Sequence, residues 1–513
     1  MNPSPSSSDP RTDTFHSRYD PGKEAERFAV RELKGKQPSL VILLGPGMPF
    51  LATALRSILP GARILAVQPD AGFDRHWAAL PYPCWSPGSG QELLAFFDAQ
   101  LYDGKAAGGV AILEWPPVMR AFPGWAGRIR TAAETALELL SSNAATSAYW
   151  ARRWLRNAWR FSAAPRNLAE LKPGQGVTLV ACAGPSLEPV LPVLGERRQD
   201  VFVVALAAAH AALSRHGVIP DLLVSTDPGP WNALHVRLAQ DGKVPLACAP
   251  GSFLPASILD GAGMLLPLDT ALPFDELAAM AVGSRAFKAP SSGTAAGAAL
   301  DIAASAGSGP VFIAGLDLAA RSYLAHARPY ALDHVDREYS SRVNPGTSQM
   351  VTSAFERYPQ VSGSWRLSRA FDAYASGLRR NNAKRFFTLG RPGALPWCTA
   401  ATQDDFAAAL SAYGKSQRPA LIPAPDPSAD PARRFAVGLA QLAQSLKSSV
   451  AALASEPRHL DPDQVLALLA LAGRDAAAVI ADAARMRSDA ERIQAALAAV
   501  DRGCASFAEA DHA

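Results

Sequence analysis

VTLVACAGPSLEPVLPVLGERRQDVFVVALAAAHAALSRHGVIPDLLVSTDPGP, residues 177–230, is the stretch whose reading decides the fold. Val177–Cys182 is a short, apolar, β-branched run, the pattern of a strand buried on both faces. Ala183-Gly184-Pro185-Ser186-Leu187 then turns the chain. Ser186 suits a helix N-cap, and Glu188 and Pro189 suit a first helical turn. A second apolar run, Val201–Ala207, leads into a helix over Ala208–His216. Gly217 stops that helix, and Pro220-Asp221 opens a third strand, Leu222–Ser225, which ends in Ser225-Thr226-Asp227-Pro228. Strand and helix alternate, so the expected fold class is α/β, with a parallel sheet covered by helices.

The first turn points to an anion. Backbone N–H groups at a helix start are unpaired and partly positive, and glycine lets a ligand approach the main chain. The plainer alternative is a tight strand-to-helix turn, since one glycine-rich turn is a weak signal. Further on, Ser291-Ser292-Gly293-Thr294 opens a small-residue helix, Ala295–Ala306. The strand Val311–Ala314 then ends in Gly315-Leu316-Asp317. Open α/β sheets bind ligands at the carboxyl ends of their strands. Three such ends carry polar or glycine residues: Gly184–Ser186, Ser225–Asp227 and Gly315–Asp317.

In order and spacing these pieces resemble the MptE-like domain, which also occurs in motility-associated-factor (Maf) flagellin glycosyltransferases. The matching pieces are Gly184-Pro185-Ser186-Leu187, Gly217-Val218-Ile219-Pro220-Asp221, Ser225-Thr226-Asp227-Pro228, Ser291-Ser292-Gly293-Thr294, Gly315-Leu316-Asp317-Leu318 and His326-Ala327. They are also similar to a bacterial sialyltransferase family, which implies a sialyltransferase-like central domain. The resemblance covers roughly residues 170–345. It implies one of two chemistries. The first is transfer of a nonulosonic acid (sialic, pseudaminic or legionaminic type) from a CMP-sugar to Ser or Thr of flagellin or another surface protein, with no cofactor required. The second is 6-hydroxymethylpterin diphosphokinase activity with ATP and Mg²⁺. A catalytically inactive MptE-like scaffold is the third reading.

On this resemblance the nucleotide would be held by Gly184, Pro185, Ser186, Leu187, Asp227, Ser291, Ser292, Gly293, Thr294, Gly315 and Asp317. His326 sits where the resemblance places a His-Ala motif, and a histidine titrating near neutrality is a natural general base. His334 is the second candidate, and the alternative for both is a solvated loop histidine. Tyr330 would assist the leaving group. Arg328 would bind the sugar carboxylate through its bidentate fork. Arg328-Pro329 stands where the family shows a glycine near the His-Ala step.

The 513 residues suffice for about three domains. A hydrophobic share of 49% with 19% charged residues suits globular cores. A net charge of +4, without clustered Lys/Arg and interleaved aromatics, gives no case for nucleic acid. The cysteines, Cys84, Cys182, Cys248, Cys398 and Cys504, are far apart, which predicts neither a zinc site nor disulfides. The start of the chain lacks a signal-peptide pattern, and no apolar run approaches the ~20 residues of a membrane helix, so the expected location is cytoplasmic.

Five regions are expected. Residues 1–35 are polar and read as disordered or loosely docked. Residues 36–165 read as a Rossmann-like N-terminal domain with a bridging helix. There, Gly45-Pro46-Gly47 invites a dinucleotide, but the third glycine is missing and Gln68 stands at the usual acidic position, which favours a structural role. Residues 166–400 read as the MptE-like catalytic domain, with a lid-like loop over 319–344 and a helix over Trp365–Asn382. Residues 401–431 read as a proline-rich linker. Residues 432–513 read as a C-terminal helical region, either a cap on the catalytic domain or a partner-binding bundle.

Overall fold

A computed structural model describes residues 15–101, 109–164, 167–261, 263–283, 286–290, 294–368, 371, 375, 378, 380, 383–414, 417–424, 430–452, 462–472 and 498–503. The chain divides into two units, Met1–Arg152 with Ala440–Ala513, and Arg153–Leu439.

The first unit holds β1 (Leu40–Leu44), β2 (Arg63–Val67), β3 (Cys84–Trp85) and β4 (Val110–Glu114), a parallel sheet in the order β3-β2-β1-β4. Alternate residues of β1 serve opposite cores: Val41 and Leu43 on one face, Leu40, Ile42 and Leu44 on the other. Residues 1–35 are not uniformly loose. Pro21–Leu33 is a helix capped by Asp20, whose carboxylate accepts from Lys23 N at 2.9 Å. Its Ala25, Phe28, Ala29 and Leu33 lie at helical spacing and are buried, an apolar stripe hidden in a polar composition. The glycine turn is filled from within. Gly47 N–H donates to Gln68 Oε1 at 3.2 Å, Gln68 Nε2 donates back to Gly47 O at 2.8 Å, and Met48 N–H donates to His16 Nε2 at 3.0 Å. Gln68 thus fastens the turn that an acidic residue would leave open to a ribose.

The expected bridging helix is one helix, Pro123–Ala163; its residues to Arg152 belong to the first unit and the rest to the second. Trp154 and Trp159 pack within the second unit, against Gly251 and Phe435. C-terminal helices run over Pro431–Ala452 and Pro462–Ala472. Residues up to Leu439 group with the second unit, where Phe435 meets Trp159, and from Ala440 onward the chain groups with the first.

The second unit is built on β6 (Val177–Ala181), β7 (Val201–Leu206), β8 (Leu222–Ser225), β9 (Leu246–Cys248), β10 (Leu265–Asp269), β11 (Phe287–Lys288), β12 (Val311–Ala314), β16 (Phe386–Thr388) and β17 (Thr399–Ala400). All pair in parallel, in the order β11-β10-β9-β8-β7-β6-β12-β16-β17. The sheet is continuous and apolar because helices cover it; Ala295–Ser305, whose buried side is mostly alanine and glycine with Leu300 and Ile302, lies against it. The small antiparallel strands are β13 (Ala319–Arg321), β14 (Gln360–Ser362) and β15 (Trp365–Leu367), with β5 (Ala169–Lys172) pairing β18 (Ala420–Pro423).

Three expectations change here. Trp365–Leu367 is a strand, paired to β13 and to β14 across a turn at Gly363, so the expected helix over 365–382 does not start there. Residues 319–344 contain β13 and a helix, Asp333–Glu338. The linker is structured: Gln403–Tyr413 is a helix with a Thr402–Asp405 capping box and buried Phe406 and Leu410.

One piece of the family pattern, Gly217–Asp221, is structural. Asp221 accepts from Val203 N at 2.7 Å and pairs with Arg198 at 2.9 Å and Arg418 at 2.7 Å, clamping the start of β8. Asn157 does similar work, donating to Gly251 O at 2.9 Å and Pro228 O at 3.3 Å. Among the described residues no helix is long and apolar enough to cross a membrane. The described cysteines are unpaired; Cys504 lies outside the described residues.

Asp275 is fully buried, accepting from Gly251 N at 2.8 Å and from Thr270 Oγ1 at 2.5 Å, and burial pushes its carboxyl up to about 7. A folded-state value above the unfolded one means the native state binds more protons between about 4 and 7. Stability from this group is present below pH 4 and is lost as pH rises through 7. Asp275→Asn is therefore expected to raise the melting temperature at pH 8 relative to wild type and to flatten its fall between pH 5 and 8. Parallel pH-melting curves for the two proteins would reject the assignment.

Candidate functional site

The sheet has a topological switch point. From β6 the chain proceeds outward through β7 to β11, then returns to the opposite side of β6 as β12. The carboxyl ends of β6 and β12 therefore face each other across the position where open α/β sheets take ligands. Gly184–Leu187 follows β6 and Gly315–Asp317 follows β12.

The two ends are tied together. Gly184 N–H donates to Gly315 O at 2.8 Å, Gly315 N–H donates to Ser186 Oγ at 2.9 Å, and Ser186 N–H donates to Asp317 Oδ2 at 2.9 Å. Leu187 N–H donates to Gly184 O at 3.1 Å, and Pro185 has no N–H. The amides of Gly184, Ser186 and Leu187 are thus bonded inside the protein. The expected amide cradle for phosphate is not formed, because the Asp317 carboxylate occupies the Ser186 amide. Nor does Ser186 cap a helix: the turn Pro185–Val190 is 3₁₀, and Ser186 lies buried inside it. Asp317 also accepts from Arg391 N at 3.1 Å, while Arg391 Nε donates to Asp317 O at 3.1 Å. Burial raises the Asp317 carboxyl, and its bonds to Ser186 and Arg391 oppose that rise. Among the described residues no carboxylate pairs with the Arg391 guanidinium.

The groups with chemistry to offer gather beside this knot. Ala327 N–H donates to Ala183 O at 2.8 Å and Arg328 N–H to Glu188 Oε1 at 2.8 Å, which lays the 326–330 loop against the end of β6. His326 and Tyr330 stack in parallel, with centroids 4.0 Å apart and planes 2° apart. His235 meets the Tyr330 ring at 5.5 Å. His210 Nδ1 bonds to Ala207 O at 2.9 Å, and the same ring bonds the His235 carbonyl. Burial, aided by Arg328 and His235, pushes His326 down to about 4, so its imidazole is neutral near pH 7. Burial and the nearby Asp227 push Tyr330 up to about 12, so the phenol keeps its proton. Burial also lowers His210 and His235.

The structure thus brings His326 and Tyr330 together and leaves His334 apart. His334 is exposed, its Nδ1 bonded to Ala331 O at 2.8 Å, and among the described residues no ring contact joins it to the stack. Arg328 is neutralised by an ion pair with Asp333, and Met350 Sδ accepts from its Nη2 at 3.2 Å, so the fork expected for a sugar carboxylate is largely engaged. The Arg328–Pro329 peptide is cis. Thr294 accepts from Ala296 N at 3.1 Å and caps its helix; Ser291, Ser292 and Gly293 lie outside the described residues. The two strand-end aspartates differ in kind: Asp227 is exposed, whereas Asp317 is 2% exposed and accepts from Ser186 N and Arg391 N. Among the described residues no group of three or more His, Cys, Asp or Glu side chains converges on a metal position.

The sequence places His235 in a helix near the site, after Asp227, but singles out neither Arg391 nor His210. Both follow a strand end (β16 and β7), which is the signal that would have found them.

The fold and site define an α/β protein with a doubly wound parallel sheet and a histidine–tyrosine cluster at its carboxyl edge. Residues 154–322 match the family model described as 6-hydroxymethylpterin diphosphokinase MptE-like, in agreement with the resemblance read from the motifs. A Treponema pallidum (strain Nichols) protein described as uncharacterized is 28% identical over 230 residues, 44% of this chain and 49% of that protein; the chain thus spans about half the length of this curated relative. Among solved structures, the Maf glycosyltransferase from Magnetospirillum magneticum AMB-1 is similar over 95% of this chain and 78% of its own, with 13% identity and a TM-score of 0.45.

Proposed function

We propose that the chain is a glycosyltransferase that moves a nonulosonic acid from a CMP-linked donor to a hydroxyl of an acceptor protein, flagellin or another surface protein. The observation that carries this reading is the His326–Tyr330 stack at the carboxyl edge of β6, 4.0 Å between centroids, with Asp227 within electrostatic reach of the tyrosine. The motif order shared with sialyltransferases supports it.

The bond from the anomeric carbon to the CMP phosphate oxygen breaks, and CMP leaves with the electron pair. The acceptor oxygen bonds to that carbon, and its proton passes to the neutral imidazole of His326. The Tyr330 phenol, protonated throughout the working range, donates to the departing phosphate oxygen. Arg391 supplies the positive charge for that phosphate, in place of the bend amides. Ser186 and Asp317 hold the bend, β12 and Arg391 in register.

Thermal melting with CMP, CTP, ATP, ATP plus Mg²⁺, and 6-hydroxymethylpterin tests the reading. A ligand at a hundredfold its Kd stabilises by about 2.7 kcal/mol, a shift of several degrees. Stabilisation by CMP is expected. Stabilisation by ATP with Mg²⁺ and pterin, without CMP, would replace this reading with diphosphate transfer.

A further inference from the structure

The loop after β8, Asp227-Pro228-Gly229-Pro230-Trp231, leads into the one-turn helix Asn232–His235. This segment is held rigidly. Ser225 Oγ donates to Asn232 Oδ1 at 2.7 Å, Asn232 Nδ2 donates to Phe253 O at 2.9 Å, and Gly229 N–H donates to Asp227 Oδ1 at 2.7 Å. Trp231 is nevertheless 54% exposed, although it is the largest side chain of the segment. It precedes His235 by four residues in helical backbone, so the two rings share one face of the turn. His235 is 9% exposed, and its Nδ1 has no hydrogen-bond partner among the described residues. A buried polar nitrogen left unmade is costly, and a water or a ligand hydroxyl would satisfy it. The Asp227 carboxylate is exposed beside it and close enough to favour a positive charge on His235.

We infer that Asp227, Trp231 and His235 form a sugar subsite, a ledge that takes the pyranose ring and hydroxyls of the donor. This rests on the glycosyltransferase reading and deepens it. The chemistry selects the hydroxyl-bearing part of the sugar, away from its own carboxylate, over a phosphate. A carboxylate accepts from hydroxyls and repels phosphate, and a neutral imidazole nitrogen pairs with a hydroxyl in either tautomer. An exposed indole offers a flat apolar face to the C–H side of a sugar ring. The ledge adjoins the reaction site through Tyr330, whose ring meets both His235 and His326. A sugar on it would have its anomeric end toward that pair.

Calorimetric titration with CMP and with a fluorinated, non-transferable CMP-N-acetylneuraminate separates the two halves of the donor. Wild type is expected to bind the CMP-sugar more tightly than CMP. Trp231→Ala, at an exposed position that leaves the core intact, is expected to remove about tenfold of that difference with CMP affinity unchanged. Asp227→Asn, which still accepts from Gly229 N–H, is expected to lose several-fold. His235→Gln is read the same way once its melting curve matches wild type. An undiminished difference in Trp231→Ala and Asp227→Asn would overturn the ledge, and so would an equal loss for CMP and CMP-sugar. If wild type binds neither nucleotide, the glycosyltransferase reading fails on its own. Saturation-transfer NMR with free N-acetylneuraminic acid and N-acetylglucosamine then decides the ledge: binding abolished by Trp231→Ala keeps it, and no binding to wild type ends it.

Discussion

Gly315→Ala is expected to destabilise the 153–439 unit by about 3 kcal/mol or more, a large fraction of a domain's stability. Two costs combine. Gly315 has φ +74°, a region that disfavours any residue with a Cβ. An added Cβ would also stand 2.2 Å from the Cys182 carbonyl oxygen and 3.1 Å from Gly184 N, both backbone atoms of the neighbouring strand end. A side chain can rotate away from such a contact, but paired backbone cannot. Relief would require β6 and β12 to part where Gly184, Ser186 and Asp317 tie them. Gly363→Ala isolates the first cost. That glycine has φ +61° in the turn between β14 and β15, and nothing lies within 4 Å of its added Cβ. Its expected cost is about 1 kcal/mol. Denaturant unfolding followed by circular dichroism measures both. Equal costs would mean that the two strand ends do not approach as closely as described.

That close approach shows where sequence stops being legible. The strands of the central sheet were readable because each is a short apolar run closed by glycine, proline or a polar residue. The bend at Gly184–Leu187 was readable as a bend. What fills it was not, because Asp317 reaches Ser186 from 131 residues away, and no local pattern records such a contact. The same residues that read as a phosphate cradle serve as a fastening. The helix Pro21–Leu33 is hidden in the composition because its apolar stripe is diluted by six charged residues, and composition averages over both faces. The segment 401–431 reads as a linker by its prolines, yet β18 within it needs only β5 to pair, and β5 lies some 250 residues earlier. In the 319–344 loop, His326 and Tyr330 are legible as candidates through the motif and the polar composition. Their stack, and the inclusion of His235 from another strand end, belong to tertiary structure alone.

His326→Ala is expected to lower kcat by about 10²- to 10⁴-fold while CMP affinity stays within twofold of wild type. The separation follows from position. His326 contacts Tyr330 and has no hydrogen bond to the Ser186–Asp317–Arg391 knot, so its loss leaves the proposed phosphate contact in place. His334→Ala should retain full activity, since that ring is exposed and, among the described residues, bonded only within its own turn. The pH profile carries the more specific signature. An ordinary histidine base gives an acid limb near 6.5, but burial among Arg328 and His235 holds His326 at about 4. The imidazole therefore remains the free base down to about pH 4, and the rate should be flat from pH 5.5 to 8 and fall only toward 4. Tyr330, held at about 12, adds no basic limb below pH 11. The same depression acts on folding. The unfolded chain binds a proton at His326 between pH 6.5 and 4 that the native state does not, so stability falls as pH drops through that window. His326→Ala should lessen that acid loss as it removes turnover. A variant that keeps wild-type kcat, or a wild-type profile with an acid limb at 6.5, would place the base elsewhere in the ring cluster.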